Sequence, residues 1–298
     1  MKKLIIAVIA CFSFGCRNIV TEFLPSRNYF TRISEEKFSI TGSVITGGWG
    51  IENNSFKQIS FYVPGRPYLT YLYYSGRNQA PLEDKFLTVN GRQILGKLIY
   101  GEIPGNPPPE LQYIFTVRYD VTPFVKKGDN DLKVWGFDAF HNDGLGLAAI
   151  YQDAGGVKNK IILKDGLGFF WAGIENKKKQ NSHLVEFKID PGLKKREARV
   201  FMMFAGGAPS PRDDRIWFLA SDKKVEQSII SKGKVLFENE ISSKNGKEWD
   251  LIDFNFPIDK DIKYIYFQVE SPQITASPNK GDSLNFVSIG LELPAEDK

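Results

Sequence analysis

The part of the chain that most constrains the fold is residues 112–166, which holds four short apolar runs separated by turn signals. In the first run, aromatic or β-branched residues occupy every second position: Tyr113, Phe115, Val117 and Tyr119. A period of two is typical of a β-strand, whereas helical spacing would scatter these side chains around a cylinder. The other runs, residues 132–137, 145–151 and 160–166, are equally short. The stretch therefore predicts a block of β-strands.

Residues 145–151 are nearly all apolar and include the small residues Gly146, Ala148 and Ala149. A run of this kind fits a strand that is covered on both faces, where small side chains allow close packing. The alternative is a buried helical turn, and seven residues are too few to favour it.

Similar strand-like runs lie on both sides of this block, and a polar, lysine-rich segment divides them at residues 176–182. Asn90 and Gly91 form the dipeptide most typical of a tight β-hairpin. A chain of 298 residues suits one large or two small domains. We therefore predict an all-β fold of two packed, jelly-roll-like antiparallel β-sandwich halves, residues 37–176 and 183–293.

The amino terminus has the features of a targeting segment. Two lysines precede an apolar run, residues 4–15, that has signal-peptide length and is too short for a transmembrane helix. The only two cysteines, Cys11 and Cys16, lie in this region. Phe14, Gly15 and Cys16 resemble a bacterial lipobox, in which the cysteine receives lipid. We predict a lipoprotein signal peptide over residues 1–15, lipidation of Cys16 and a tether over residues 16–36. An ordinary signal peptide cut after Gly15 is the alternative.

The charge of the chain argues against a nucleic-acid partner. Removal of residues 1–15 takes away two lysines and lowers the formal net charge from +4 to +2. The basic clusters at residues 177–179 and 194–196 are typical of solvated loops, and no continuous basic face with interleaved aromatic residues is present. We therefore expect no nucleic-acid binding.

The sequence assigns no catalytic residue. The chain has two histidines, His141 and His183, no nucleophile-elbow motif and no P-loop motif. His141 has no partner four residues on, so a histidine-based metal site is not expected. A glycosidase would need two convergent carboxylates, and the sequence does not pair its 35 acidic residues.

Calcium is the more plausible ion, although no cofactor is required by the fold. Four aspartates are clustered in segments that read as loops, where calcium ligands are common: Asp129, Asp131, Asp138 and Asp143. The alternative is that these residues simply form turns.

Two tryptophans could stack on sugar rings. Trp49 lies in a glycine-rich bend, and Trp171 follows two phenylalanines. The alternative is that both belong to the core, as most tryptophans in strand-rich chains do.

Several short segments occur in an order that resembles a family of exported β-sandwich proteins of archaea and bacteria, catalogued as a domain of unknown function. These are residues 61–64, 71–73, 89–91, 120–122, 144–151, 163–166 and 246–250, with Phe254. The pattern departs from the family where Gln152 precedes Asp153. The resemblance implies a jelly-roll-like sandwich and a surface role, and it supplies no catalytic residues.

These observations predict a lipid-anchored cell-envelope protein of binding or structural type, without catalytic activity. It would be exported to the outer membrane or cell surface, with the periplasmic face as the alternative. Its partners would be the membrane, through the anchor, and a glycan or a host or surface protein. The alternatives in function are a glycan-acting hydrolase and a carbohydrate-binding module on a double jelly roll.

Overall fold

The computed structural model describes residues 29–31, 33–51, 55–79, 82, 85–102, 113–171, 180–207, 214–271 and 283–296. Apart from a 3-10 turn at Thr122–Phe124, the regular structure in these ranges is all strand, which confirms the all-β class. The strands are β1 (Tyr29–Thr31), β2 (Ser34–Gly50), β3 (Phe56–Val63), β4 (Arg66–Asn78), β5 (Lys85–Val89), β6 (Arg92–Glu102), β7 (Tyr113–Asp120), β8 (Gly128–Trp135), β9 (His141–Gln152), β10 (Lys158–Trp171), β11 (Val185–Lys188), β12 (Arg196–Ala205), β13 (Arg215–Ser221), β14 (Lys234–Glu238), β15 (Trp249–Ile258), β16 (Tyr264–Glu270) and β17 (Ser283–Pro294). No helix long and apolar enough to span a membrane occurs in the described ranges.

The strands form four stacked layers. One continuous antiparallel sheet runs in the order β15-β12-β17-β10-β2-β9-β4-β7-β6-β5-β8-β3, and a separate sheet runs β11-β16-β13-β14. The long sheet folds over at β2 and β6, which each pair with different neighbours along their length. We call β3, β8, β5 and the start of β6 layer C, and the end of β6 with β7, β4, β9 and the end of β2 layer A. The start of β2 with β10, β17, β12 and β15 is layer B, and the separate sheet is layer D.

Three apolar cores hold the layers in the order C, A, B, D. One core packs layer C on layer A, another packs layer B on layer D, and the third lies between layers A and B. The molecule is therefore two β-sandwiches packed back to back, which confirms the predicted fold, although β10 and the first part of β2 belong to the second sandwich and not to the first.

Gly42 marks the point at which β2 passes from layer B to layer A. Residues 34–41 of β2 pair with β10, and residues 42–50 pair with β9. Gly42 has a φ of 151°, and a Cβ at this position would lie 1.9 Å from the carbonyl oxygen of Tyr151. Only glycine allows β2 to serve both layers, because any side chain would collide with β9.

The apolar run at residues 145–151 is a strand with two buried faces through Ile150, as predicted. Leu147 and Ala149 face layer C, whereas Ala148 and Ile150 face layer B. β12 is buried in the same way, with Met202 in the core shared with layer D. Strands in the middle of a four-layer stack have no solvent-exposed face, so their sequences lose the alternation of polar and apolar residues.

The predicted segment boundaries differ from the observed elements in two places. The tether was expected to reach Glu36, but Tyr29–Thr31 pair with β6 and β2 begins at Ser34. The expected division at residues 176–182 falls between β10 and β11, and hydrogen-bonded pairing crosses it because β10 pairs with both β2 and β17. Residues 1–15 and Cys16 lie outside the described residues, so the signal peptide and its lipidation stay predictions.

Candidate functional site

A β-bulge at the start of β9 places Asp143 at the edge of the interface between layers A and B. In the pairing of β4 with β9, Ser75 is opposite Gly144 and Gly76 is opposite Asn142, so Asp143 has no partner on β4. A bulge of this kind bends the strand and redirects a side chain. Arg77 pairs with His141 one step further along, which brings both residues to the same rim.

Glu248 reaches this rim from layer B, in the loop that precedes β15. The carboxylate of Asp250 organises the loop by accepting backbone N–H groups from Ser242 at 3.1 Å, Ser243 at 2.8 Å and Lys244 at 2.8 Å. Glu248 itself has a φ of 64°, and its N–H donates to Ser243 Oγ at 3.1 Å. A left-handed backbone at a non-glycine residue is uncommon and persists where surrounding contacts hold it.

The bulge and the loop together create a compact group of charged side chains, which we call the rim cluster: Arg77, His141, Asp143 and Glu248. His141 Nε2 contacts Glu248 Oε2 and lies 3.8 Å from Asp143 Oδ1. Arg77 Nε is 3.5 Å from Asp143 Oδ1, and Arg77 Nη2 is 3.9 Å from Glu248 Oε2. The Asp143 side chain is 1% exposed and that of His141 is 31% exposed, so the cluster is buried at Asp143 and solvent-exposed at His141.

The surroundings shift the pKa values of the two carboxyl groups of the rim cluster in opposite directions. Burial raises the pKa of Asp143 to about 6, and the negative charge of Glu248 adds to this shift while Arg77 and His141 oppose it. Burial acts to raise the pKa of Glu248 as well, but the hydrogen bond from His141 and the charge of Arg77 lower it on balance. Two carboxyl groups with separated pKa values beside an imidazole can exchange a proton, and in their ionised form they can hold a cation.

Trp249 supports the rim cluster from the core between layers A and B. It follows Glu248 directly, is fully buried and belongs to the core between layers A and B. Its ring lies against Gly144 and Gly146 of β9, where added Cβ atoms would come within 2.5 Å of Trp249 Cε3 and 2.8 Å of Trp249 Cζ2. The glycines therefore admit the ring, and the ring ties the Glu248 loop to the bulge in β9.

The structure does not gather the four predicted calcium ligands. Asp129 and Asp131 lie on β8, not in a loop, and Asp131 accepts hydrogen bonds from Ser60 and Gln58. Asp138 forms an ion pair with Lys85, and only Asp143 belongs to a group of three potential metal ligands in the described part of the chain. Calcium binding stays a prediction.

Strand β8 starts at Gly128, earlier than expected. The buried side chain of Asn130 donates hydrogen bonds to the carbonyl oxygens of Lys126 and Gly128, and these bonds close the turn that precedes the strand.

Trp49 is not the exposed sugar platform that the sequence suggested. It is partly buried on β2 and packs against the core between layers A and C. Trp171 ends β10, and its side chain lies outside the part that the structure describes.

A different set of exposed side chains lies on the outer face of layer C. Phe56 is opposite Trp135, with ring centroids 4.9 Å apart, and Phe86 is opposite Leu95. Thr88, two residues from Phe86, is also opposite Trp135, so all four apolar side chains share one face. Their exposed fractions are 38% for Phe56, 37% for Trp135, 52% for Phe86 and 55% for Leu95. We call these four residues the aromatic stripe.

Sequence reasoning missed both features for identifiable reasons. Glu248 is 107 residues from His141, and only the packing of layer B on layer A brings them together. The strands that carry the stripe were predicted, but alternation alone does not say which face another layer covers. Phe56 and Trp135 differ from core residues because no layer among the described strands covers their face.

Comparison with known proteins adds no identification. No family model and no curated protein matches the chain. Among solved structures, the VP2 subviral particle of infectious bursal disease virus aligns with 90% of this chain and 72% of its own, at 10% identity and a TM-score of 0.27. PNGF-II aligns with 91% of this chain and 66% of its own, at 11% identity and a TM-score of 0.27. Likenesses at these TM-scores support no statement about fold or function.

Proposed function

We propose that this chain is an exported, lipid-anchored protein of the cell envelope that binds glycan chains through the aromatic stripe. The observation that carries the proposal is the stripe itself, which crosses β3, β8, β5 and β6 on a sheet face that none of the described strands covers. With strands about 4.8 Å apart, a line across four strands is about 14 Å long. Exposed apolar side chains that are grouped on one face mark interaction sites, whereas single scattered ones are ordinary.

The chemistry of the stripe suits a sugar chain better than a protein surface. Flat rings can pack on the apolar C–H faces of sugars, and polar groups on the same face can bond to sugar hydroxyls. Asp131, Ser60 and Gln58 lie beside the rings on β8 and β3. A stable protein interface takes about 20–30 residues on each side, whereas the stripe is a single row of side chains. A host or surface protein is therefore the less suitable partner.

Glycan binding is tested with Trp135→Ala and Phe86→Ala, alone and combined, against Tyr68→Ala as the matched control. Tyr68 is an equally exposed aromatic residue, but it lies on β4 beside Phe38. The wild-type protein is expected to bind at least one sugar on a glycan array, and each stripe variant is expected to weaken that binding about tenfold or more. The Tyr68 variant is expected to bind as the wild type does. Absence of binding to any sugar, or equal binding by the double variant, would reject the proposal.

The anchor is proposed from the sequence, where Cys16 follows a signal-peptide-like segment. Cells that express the protein are expected to incorporate a fatty-acid analogue into it, and Cys16→Ser is expected to abolish the label. Cys11→Ser is the control and is expected to keep it. A labelled Cys16→Ser protein would show that the lipid is attached elsewhere.

The alternative of a glycan-acting hydrolase has less support. Retaining glycosidases separate their two carboxyl groups by about 5–5.5 Å, and inverting ones by more. In the rim cluster, the potential ligand atoms of Asp143 and Glu248 lie within 4.8 Å of each other. This limit on the distance between single oxygen atoms does not establish the separation that either mechanism needs, and the Asp143 side chain is 1% exposed beside Arg77, so the proposal is confined to binding.

A further inference from the structure

We propose that the rim cluster is a binding site for a zinc-type divalent ion, held by His141, Asp143 and Glu248. One nitrogen or oxygen atom from each of these side chains lies within 4.8 Å of the other two. Three protein ligands around a partly open position are the pattern of catalytic zinc sites, whereas structural sites are closed by four. This site is separate from the aromatic stripe, so the inference does not depend on glycan binding.

A buried acceptor points independently to a missing ligand. Asp143 Oδ1 is buried and accepts no hydrogen bond from the described residues, although it lies 3.5 Å from Arg77 Nε and 3.8 Å from His141 Nε2. A buried oxygen without a donor costs free energy, and such groups in native proteins usually have an explanation such as an ion. A cation bound by His141 and Glu248 would supply the partner that this oxygen lacks.

The donor set selects the kind of ion. An imidazole with two carboxylates suits zinc and similar transition metals, whereas calcium and magnesium prefer sites made of oxygen atoms alone. The side chain of His141 is 31% exposed, so the cluster borders solvent on the side of the imidazole. The bulge in β9 supplies His141 and Asp143 two residues apart, and the Asp250-organised loop supplies Glu248 from the other layer.

Replacement of Arg77 distinguishes a metal site from a simple set of ion pairs. Its guanidinium nitrogens lie 3.5 Å from Asp143 Oδ1 and 3.9 Å from Glu248 Oε2, so its positive charge opposes a bound cation. Removing that charge while keeping a polar side chain should strengthen metal binding, because the repulsion disappears. A cluster that served only as a set of ion pairs would instead lose stability without gaining metal affinity.

The experiment is a calorimetric titration of the full-length protein and its variants with Zn²⁺. The wild type is expected to bind one zinc ion at the cluster, His141→Gln and Glu248→Gln each to weaken this binding by at least about 100-fold, and Arg77→Gln to tighten it about tenfold. His183→Ala, which replaces the only other histidine, is the control and is expected to bind as the wild type does. Every variant keeps Cys11 and Cys16, so any thiol binding contributes equally, and a strand-type circular dichroism spectrum confirms folding.

Three results would overturn the proposal. The first is no zinc binding by the wild type at concentrations up to about 1 mM. The second is unchanged binding by His141→Gln and Glu248→Gln. The third is tighter binding of Ca²⁺ than of Zn²⁺ at this site. If one ligand variant does not fold, the other variant and Arg77→Gln still decide between these outcomes.

Discussion

Replacement of Trp249 with alanine is expected to lower the free energy of unfolding by about 3–5 kcal/mol, the usual cost of removing a large buried aromatic side chain. The ring is fully buried between layers A and B, against Gly144 and Gly146. The rigid β9 backbone on one side limits collapse into the space that the ring leaves, so the cost should fall at the upper part of this range. Chemical denaturation, followed by fluorescence and circular dichroism, measures the change.

Trp135→Ala is the matched control for Trp249→Ala. Trp135 is 37% exposed and packs mainly on Phe56, so its loss should cost about 1 kcal/mol. A Trp249 variant no less stable than the Trp135 variant would mean that the ring does not hold the two sandwiches together.

A double-mutant cycle sharpens the same test. Gly146→Ala would place a Cβ 2.5 Å from Met203 Sδ and 2.8 Å from Trp249 Cζ2. It should therefore destabilise the wild type by overpacking and cost less in the Trp249→Ala background, where space is available. Equal costs in both backgrounds would contradict the packing described.

Replacement of Arg118 with alanine is the second large effect, with an expected loss of about 3–5 kcal/mol. Arg118 of layer A bonds Asp165 of layer B at 2.7 Å and Glu36 at 2.8 Å, and its guanidinium lies 4.1 Å from the centre of the Tyr71 ring. Asp165 is fully buried, so loss of the arginine leaves a buried carboxylate without its cation. Arg215→Ala is the control. The ion pair of Arg215 with Glu238 is solvent-exposed, so removal of the arginine should cost about 0–1 kcal/mol.

The deficit of Arg118→Ala should shrink in acid. Burial raises the pKa of Asp165, and Arg118 opposes this shift, so the variant should have a still higher native-state pKa for this group. A carboxyl whose native pKa exceeds its unfolded value stabilises the protein below the unfolded pKa, and this contribution is lost as pH rises through the native pKa. The variant should therefore approach wild-type stability as the pH falls from 7 toward about 4, near the unfolded value. Asp165→Asn added to Arg118→Ala should recover part of the loss at neutral pH, and a pH-independent deficit would contradict this account.

The sequence predicted much of the fold because its information on strands is local. The period of two at Tyr113 to Tyr119 matches β7, and Asn90 with Gly91 forms the turn between β5 and β6. The doubly buried run at residues 145–151 was recognised because a strand with two covered faces needs no polar positions. Boundaries were less accurate, since the run at residues 160–166 was expected to end there whereas β10 continues to Trp171 through a register shift between Asp165 and Gly168.

The sequence by itself determined the β class and predicted the export signal, because alternation and the arrangement of charge and apolar residues are properties of neighbouring positions. Only the tertiary structure decided which residues meet in the rim cluster, since Arg77, His141 and Glu248 come from separate elements joined by a bulge and by the packing of layer B on layer A. It also decided that Trp49 packs against a core while Trp135 stays exposed. Both are tryptophans in strands, and the physical difference between them is whether a second sheet covers the face on which each one lies.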